Sequence, residues 1–205
     1  MSGETNRLID LAQSFGSEPN KREFDALVST GEKVSASLVA IALNHLGLKA
    51  KSLSAAQFGM KTTSHFSRAK ILDMNNDILF QTIEEGYIPI ITGFQGINNK
   101  LRLTTIGRSG SDATAIMIAK FIKADECIIY TDVDGVYTTD PKQYKNAKKI
   151  KKIFYDEMLE MASLGSKVMQ PTSVQDAKLN NIDIQVKSSF VTKPGTLITG
   201  SKKAF

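Results

Sequence analysis

Disulfide chemistry is closed to this chain. Its 205 residues include a single cysteine, Cys127. No internal bridge can form, and the expected compartment is a reducing one, the cytoplasm. Cys127 is expected to pack as a small hydrophobe in a strand. No apolar run approaches the roughly 18–20 residues of a membrane span. No basic-then-apolar segment opens the chain as a secretory signal would, and no membrane partner is expected. Internal repeats and low-complexity tracts are missing as well. What remains is an ordinary globular composition, 41% hydrophobic and 23% charged, long enough for one sizeable core. One domain over residues 1–205 is expected, with no visible boundary. Aromatic residues are scarce where nucleic acid would need them. The chain is basic, net +5 with a pI near 9.2, and its lysines crowd one segment at Lys142, Lys145, Lys148, Lys149, Lys151 and Lys152. Only Tyr144 lies among them, which makes no stacking platform. The segment reads as a solvated face beside an anionic-ligand site, and no nucleic-acid partner is expected.

The pattern that is present alternates helices with strands. Leu8, Leu11, Ala12 and Phe15 give a helix over about Glu4–Phe15 one apolar face. Phe24, Leu27 and Val28 mark a short helix, which Ser29-Thr30-Gly31 is expected to interrupt. Glu32 then opens a longer helix that runs to His45 and stops at Gly47. Strands are expected at Ala50–Leu53, Ile71–Met74 and Tyr87–Thr92, with Ala55–Ser67 irregular and a helix at Asn76–Glu85. Asn98-Asn99 signals a hairpin across Gly96–Thr105. Further on come helices near Tyr155–Leu164 and Ser173–Leu179, and strands at Ile182–Val186 and Thr196–Ile198. The expected fold class is α/β, with a largely parallel sheet covered by helices on both faces. Met158, Met161 and Met169 read as core, and neither His45 nor His65 falls in a motif.

The most informative stretch is Thr104–Pro141. Gly107-Arg108-Ser109-Gly110-Ser111-Asp112 precedes a helix over about Ser111–Ala124, so small residues and a helix N-terminus stand ready for an anion. Cys127–Tyr130 is a short apolar strand ending in Thr131-Asp132-Val133-Asp134-Gly135, at the carboxyl end where open parallel sheets bind ligands. Taken singly these features have ordinary readings: a capped connection at the Gly/Ser loop, a packed Tyr137, a surface Glu32 favoured by its helix dipole. If the loops meet, Glu32 and Arg108 make a pair suited to a zwitterion.

The two loops together resemble the GRGGSD and IYTDVDGVYTTDPR motifs of aspartokinases, of the amino-acid kinase family. TGEKVS, GFQG, DEMLEMASLGSKVMQP, VKSSF and GTLI extend the resemblance over nearly the whole chain. It implies the amino-acid kinase fold, a three-layer α/β sandwich. It also implies ATP and Mg²⁺ as cofactors, and phosphoryl transfer to the side-chain carboxylate of L-aspartate, the first step of the aspartate-family pathway that includes lysine. By the same resemblance Glu32 and Arg108 bind aspartate, Thr5 and Ser111 contact it, and Asp112 with Arg108 serves catalysis. Thr131, Asp132, Tyr137, Asp140, Lys142 and Lys167 bind ATP. No residue is assigned to a metal.

The chain departs from the family pattern in three places. The KFGGTS-type motif, whose lysine and glycines hold ATP phosphates, does not occur, so a strand–helix–strand unit of roughly 40 residues is expected to be missing. ACT regulatory domains do not follow, and Ser109 stands where glycine is usual. The chain alone is therefore expected to be weakly active or inactive and aggregation-prone. Three alternatives stay open: a non-catalytic protein that keeps the ligand pocket, completion by another chain or a homo-oligomer, and a related kinase acting on glutamate, acetylglutamate or a nucleoside monophosphate.

Overall fold

A computed structural model describes residues 3–107, 110–166 and 168–200. The chain divides into two compact units, Met1–Thr114 and Ala115–Phe205, and the division falls inside one helix.

The first unit opens with three helices, α1 (Glu4–Gln13), α2 (Lys21–Val28) and α3 (Thr30–His45). The Asn20 side chain caps α2 by accepting from the amides of Arg22 and Glu23, at 3.0 and 3.3 Å. The break expected at Ser29-Thr30-Gly31 is almost closed. Ser29 alone separates α2 from α3, and it keeps helical angles (φ −69, ψ −16). Glu32 is thus the third residue of α3. Read as one run, Lys21–His45 is 25 residues with a mean hydropathy of 1.4 in its most apolar window, long and apolar enough to cross a membrane by length and composition. The breaker residues Ser29-Thr30-Gly31 hide this run in the sequence. Asp25, Ser29, Gly31, Ala36 and Ala40 are nonetheless buried against the unit's interior. Gly47, at φ +80, ends α3 in a Schellman motif: its amide reaches the Asn44 carbonyl and the Leu48 amide the Leu43 carbonyl, both at 3.0 Å.

Two sheets follow in this unit. β1 (Ala50–Leu53) pairs in parallel with β4 (Ile88–Ile91). A four-stranded sheet has the order β3-β2-β5-β6, from β2 (Met60–Thr62), β3 (Ile71–Met74), β5 (Gln95–Ile97) and β6 (Leu103–Thr105). β2 lies within the segment expected to be irregular. Three residues, Met60 and Thr62 inward with Lys61 outward, are too short for an alternation to register, yet β2 is an interior strand between β3 and β5. α4 (Asp77–Glu84) precedes β4. α5 (Gly110–Ile122) carries the chain into the second unit.

The second unit holds one sheet of order β7-β9-β10-β8: β7 (Cys127–Thr131), β8 (Lys152–Phe154), β9 (Ile184–Ser188) and β10 (Thr196–Thr199). β8 was not expected; it is again three residues, hidden in the lysine run. α6 (Tyr155–Ser163) and α7 (Pro171–Asn180) complete the unit, α7 starting on a proline whose missing N–H costs nothing there. Met158, Val174, Ile184, Val186 and Ile198 are fully buried in its core, with Met169 and Cys127 close behind. Each such large side chain contributes about 1.5–3 kcal/mol by leaving water. The fold is α/β as expected. Its parallel pairs are β1–β4, β2–β5, β7–β9 and β8–β10, and its antiparallel pairs are β2–β3, β5–β6 and β9–β10.

Gly195 is a structural requirement of the β9–β10 hairpin. A Cβ there would overlap the Val186 carbonyl group and press on Lys187. Gly195→Ala is expected to cost at least about 1–3 kcal/mol, read as a lowered Tm. An unchanged Tm would mean the hairpin can open without loss.

Candidate functional site

In the first unit the sequence motifs converge on the start of α5. The GFQG segment follows β4, and its backbone lies directly on the helix. A Cβ at Gly93 would be 3.0 Å from the Ser111 Cα, and one at Gly110 would be 2.9 Å from the Phe94 ring and 3.0 Å from the Ile106 Cβ. Phe94 holds φ +67, unusual for an aromatic residue. Its amide donates to the Thr114 Oγ1 at 3.1 Å, its carbonyl accepts from the Ile106 amide at 3.0 Å, and Thr114 in turn donates to the Gly110 carbonyl at 2.7 Å. Gln95 ties this assembly to the α2–α3 junction, its Nε2 donating to the Ser29 carbonyl at 3.2 Å. The Gln95 Oε1 is buried and has no partner among the described residues. α1 closes on the other side of the junction, since a Cβ at Gly31 would meet Glu4 at 3.4 Å and Leu8 at 3.5 Å.

This framework places four of the expected residues. Thr5 is exposed near the start of α1, Glu32 is half-buried in the first turn of α3, and Ser111 (exposed) and Asp112 (half-buried) sit in the first turn of α5. Arg108 lies outside the described residues. Burial pushes the carboxyls of both Glu32 and Asp112 above their ordinary values. An acid held up in this way beside a helix N-terminus is a site feature more than a stabilising one.

The second unit contains a cleft of about 670 Å³ between the loop that follows β7 and the C-terminal end of α6, within the usual size range for small-molecule sites. Thr131, Asp132, Tyr137, Asp140 and Lys142, all expected from one motif, line it. Lys167 lies outside the described residues, and its neighbours Ser166 and Val168 line the cleft. Asp140 also has local work: its side chain accepts from the Lys142 amide at 2.8 Å and from Gln143 Nε2 at 3.2 Å, closing the turn. Met161, expected in the core, is half-buried and on the cleft wall. Among the described residues no group of three or more His, Cys, Asp or Glu is placed to hold a metal ion.

Two residues beside this cleft carry no expected role in the sequence. Asp134 accepts from the Tyr137 hydroxyl at 2.8 Å and pairs with Lys149 at 3.2 Å. The Tyr137 bond first, then Lys149, holds its carboxyl below the ordinary value, and the same bond raises the Tyr137 phenol. Lys149 also donates to the carbonyls of Pro194 (2.7 Å) and Asp134 (3.4 Å). It is therefore not part of a solvated face, unlike the exposed Lys145, Lys148 and Lys151. The signal for Asp134 was its place in TDVDG; nothing singled out Lys149 among six lysines.

The amino acid kinase family model matches residues 2–188. The chain belongs to the amino acid kinase family. It is 48% identical over 199 residues to an aspartate kinase of Pseudomonas putida, covering 97% of this chain and 48% of that protein. The chain thus spans about half the length of the curated relatives it matches. Among solved structures it is similar to the aspartate kinase from Synechocystis, with a TM-score of 0.86 and 40% identity over 98% of this chain and 33% of that one. It is also similar to Escherichia coli aspartokinase III in complex with aspartate and ADP, with a TM-score of 0.84 and 33% identity over 97% of this chain and 45% of that one.

The raised Asp112 carboxyl makes a signed prediction. Its ordinary value is 3.8, and burial favours the protonated form in the folded chain. The stability this gives is full below 3.8 and is lost as pH rises through the raised folded value. Asp112→Asn should therefore raise Tm near neutral pH, with the gain shrinking as pH falls toward about 4. Thermal melts of both chains across that range check it; a pH-independent difference would show that burial of the charge is not the cause.

Proposed function

We propose that this chain is the catalytic portion of an aspartate kinase, which transfers the γ-phosphoryl group of ATP to the side-chain carboxylate of L-aspartate. The products are 4-phospho-L-aspartate and ADP. The observation that carries the proposal is the cleft beside β7. Its wall gathers most of the Thr131–Lys142 motif in a volume suited to a nucleotide, and a similar structure holds aspartate and ADP. The cytoplasm, and an early step of lysine and related amino-acid synthesis, are the setting this reading implies.

The chemistry needs little acid or base help. A free side-chain carboxylate has a pKa near 4 and is already a nucleophile at neutral pH. One carboxylate oxygen bonds to the γ-phosphorus, the bond from that phosphorus to the β–γ bridging oxygen breaks, and ADP leaves with the electron pair. The barrier lies in bringing one anion to another, so catalysis is positioning and charge stabilisation. Glu32 receives the substrate ammonium and Arg108 its α-carboxylate. The exposed Ser111 hydroxyl and the first-turn amides of α5 face developing negative charge well. Tyr137, fixed by Asp134, and Lys142 orient the nucleotide. Mg²⁺ would neutralise phosphate charge when bound, and Asp132 on the cleft wall is a carboxylate that fits a hard, oxygen-seeking ion that keeps several of its waters.

The test is aspartate-dependent ADP release with Mg²⁺–ATP, run against a panel of glutamate, acetylglutamate and a nucleoside monophosphate. Asp112→Asn should cut any turnover by about 10²–10³-fold, the usual cost of losing one transition-state contact. The 205 residues contain no lysine–glycine phosphate grip of the KFGGTS type, so turnover by this chain alone is expected to be weak and to recover when such a segment is supplied. Turnover selective for another acceptor would overturn the substrate assignment. Aspartate and ATP binding without turnover under both conditions would favour a non-catalytic binding protein.

A further inference from the structure

We infer that Asp25 is a positioning residue that sets the spacing between the Glu32 helix and the loop entering α5. Asp25 is entirely buried near the end of α2, seven residues before Glu32, in no motif and with no place in the reaction above. One of its carboxyl oxygens accepts two backbone amides, from Ser67 at 2.9 Å and Thr105 at 2.7 Å. The other bonds the two hydroxyls of the same residues, each at 2.9 Å. All of its acceptor capacity is thus used to join two segments far apart in sequence to one helix.

Those two segments lead straight to the site. Thr105 ends β6, and Ile106 and Gly107 carry the chain to Arg108. The Ser67 segment runs alongside, with the Ala69 amide donating to the Thr105 carbonyl at 2.9 Å. A Cβ at Gly107 would lie 3.3 Å from the Ser67 carbonyl oxygen, so the position of Ser67 limits that of Gly107. Ser67 itself is held at φ +65, a left-handed conformation that a non-glycine residue keeps only when its surroundings fix it. Asp25 supplies that fixing through both the amide and the hydroxyl of Ser67. On the other side Asp25 is joined to Glu32 by helix, the Ser29 amide donating to the Asp25 carbonyl at 3.2 Å. Gln95, paired with Thr105 across the β5–β6 hairpin, makes a second tie to the Ser29 carbonyl. The Asp25 carboxyl group, with Gln95 as a second tie, therefore sets the distance from the helix bearing the residue for the ammonium to the segment Thr105–Gly107 that leads to the residue for the carboxylate.

This inference rests on the assignment of Glu32 and Arg108 to the amino-acid substrate, and its test separates the two. Asp25→Asn keeps an acceptor for the two amides and offers a donor to hydroxyls that can rotate to accept. Asp25→Ala leaves both amides and both hydroxyls unpaired. Two quantities are read on each chain: amide hydrogen exchange at Ser67 and Thr105, and equilibrium binding of L-aspartate and of ADP. Asp25→Ala should lose protection at those amides and weaken L-aspartate by about 10-fold or more, with ADP within about 2-fold. Asp25→Asn should retain protection and stay within about 3-fold for both ligands. Should Asp25→Ala not fold, Thr105→Val, which keeps the amide bond and removes the hydroxyl bond, should weaken L-aspartate by about 2–10-fold with ADP unmoved. Equal losses for both ligands, or lost protection with unchanged L-aspartate binding, would overturn the inference, as would Asp25→Asn behaving like Asp25→Ala. If the unsubstituted chain binds ADP but not L-aspartate, the substrate assignment fails. Exchange then decides alone: loss confined to Ser67–Gly107 upholds Asp25 as the anchor of that loop, and loss spread over the first unit refutes it.

Discussion

Backbone-on-backbone contact at the N-terminus of α5 is the constraint on which the rest of the first unit depends. Gly93 and Gly110 let the GFQG segment and the helix start approach to distances that a Cβ would forbid. The approach has a local cost: Phe94 must adopt a left-handed backbone angle. The cost is offset by three hydrogen bonds that use the Phe94 amide and carbonyl and the Thr114 hydroxyl. Side chains would have bridged such a gap with several rotamers. Backbone does it with none, and so the first-turn amides of α5, with Ser111 and Asp112, are held in one arrangement before any ligand arrives. That is the kind of preorganisation on which electrostatic stabilisation of a transferring group relies.

The acidic residues divide into two kinds by environment. Asp134 bonds the cleft-lining Tyr137 and pairs with Lys149, and its carboxyl is held down. Asp25 is wholly buried with its donors supplied by the fold. Both are structural carboxyl groups, matched with donors where they stand. Glu32 and Asp112 differ. Burial raises both, and no side-chain hydrogen bond to either accompanies it among the described residues. A carboxylate kept in that state destabilises the folded chain near neutral pH and is retained when a cationic ligand group or metal will repay it.

Much of this was legible in the sequence, for reasons that differ by element. The strands β1 and β3 and the hairpin stood out because β-branched and apolar residues were bounded by Gly or Asn. The Schellman end of α3 stood out because Gly47 follows a long periodic run. The cleft beside β7 was legible as one continuous motif, Thr131–Lys142, which needs no tertiary information to be seen as a loop at a strand end. The rest depended on long-range pairing. β2 and β8 are strands only because neighbours pair with them; three residues carry no periodicity of their own. The continuity of α2 and α3 was hidden because Ser-Thr-Gly is a breaker by propensity, and burial of Ser29 and Gly31 against Gln95 and α1 overrides it. Asp25 was unreadable for a related reason: its partners are 42 and 80 residues away.

The positive charge of the chain falls into two kinds as well. The net charge of +5 gives the surface a field that favours the approach of polyanions, an effect that salt screens within about 10 Å at 0.1 M. Steering of this sort needs charges that are exposed and unspent. Lys145, Lys148 and Lys151 meet that description, whereas Lys149, with three acceptors around its ammonium group, does not. The lysine run thus serves two separate ends. Lys149 locks the segment before β8 to Asp134 and Pro194, and so keeps Tyr137 at the cleft. The exposed members of the run act at a distance and specify no geometry. Exchanging arginine for lysine should matter little at the exposed positions. At Lys149 it should matter a great deal, because a planar guanidinium cannot reproduce the compact three-way contact of an ammonium.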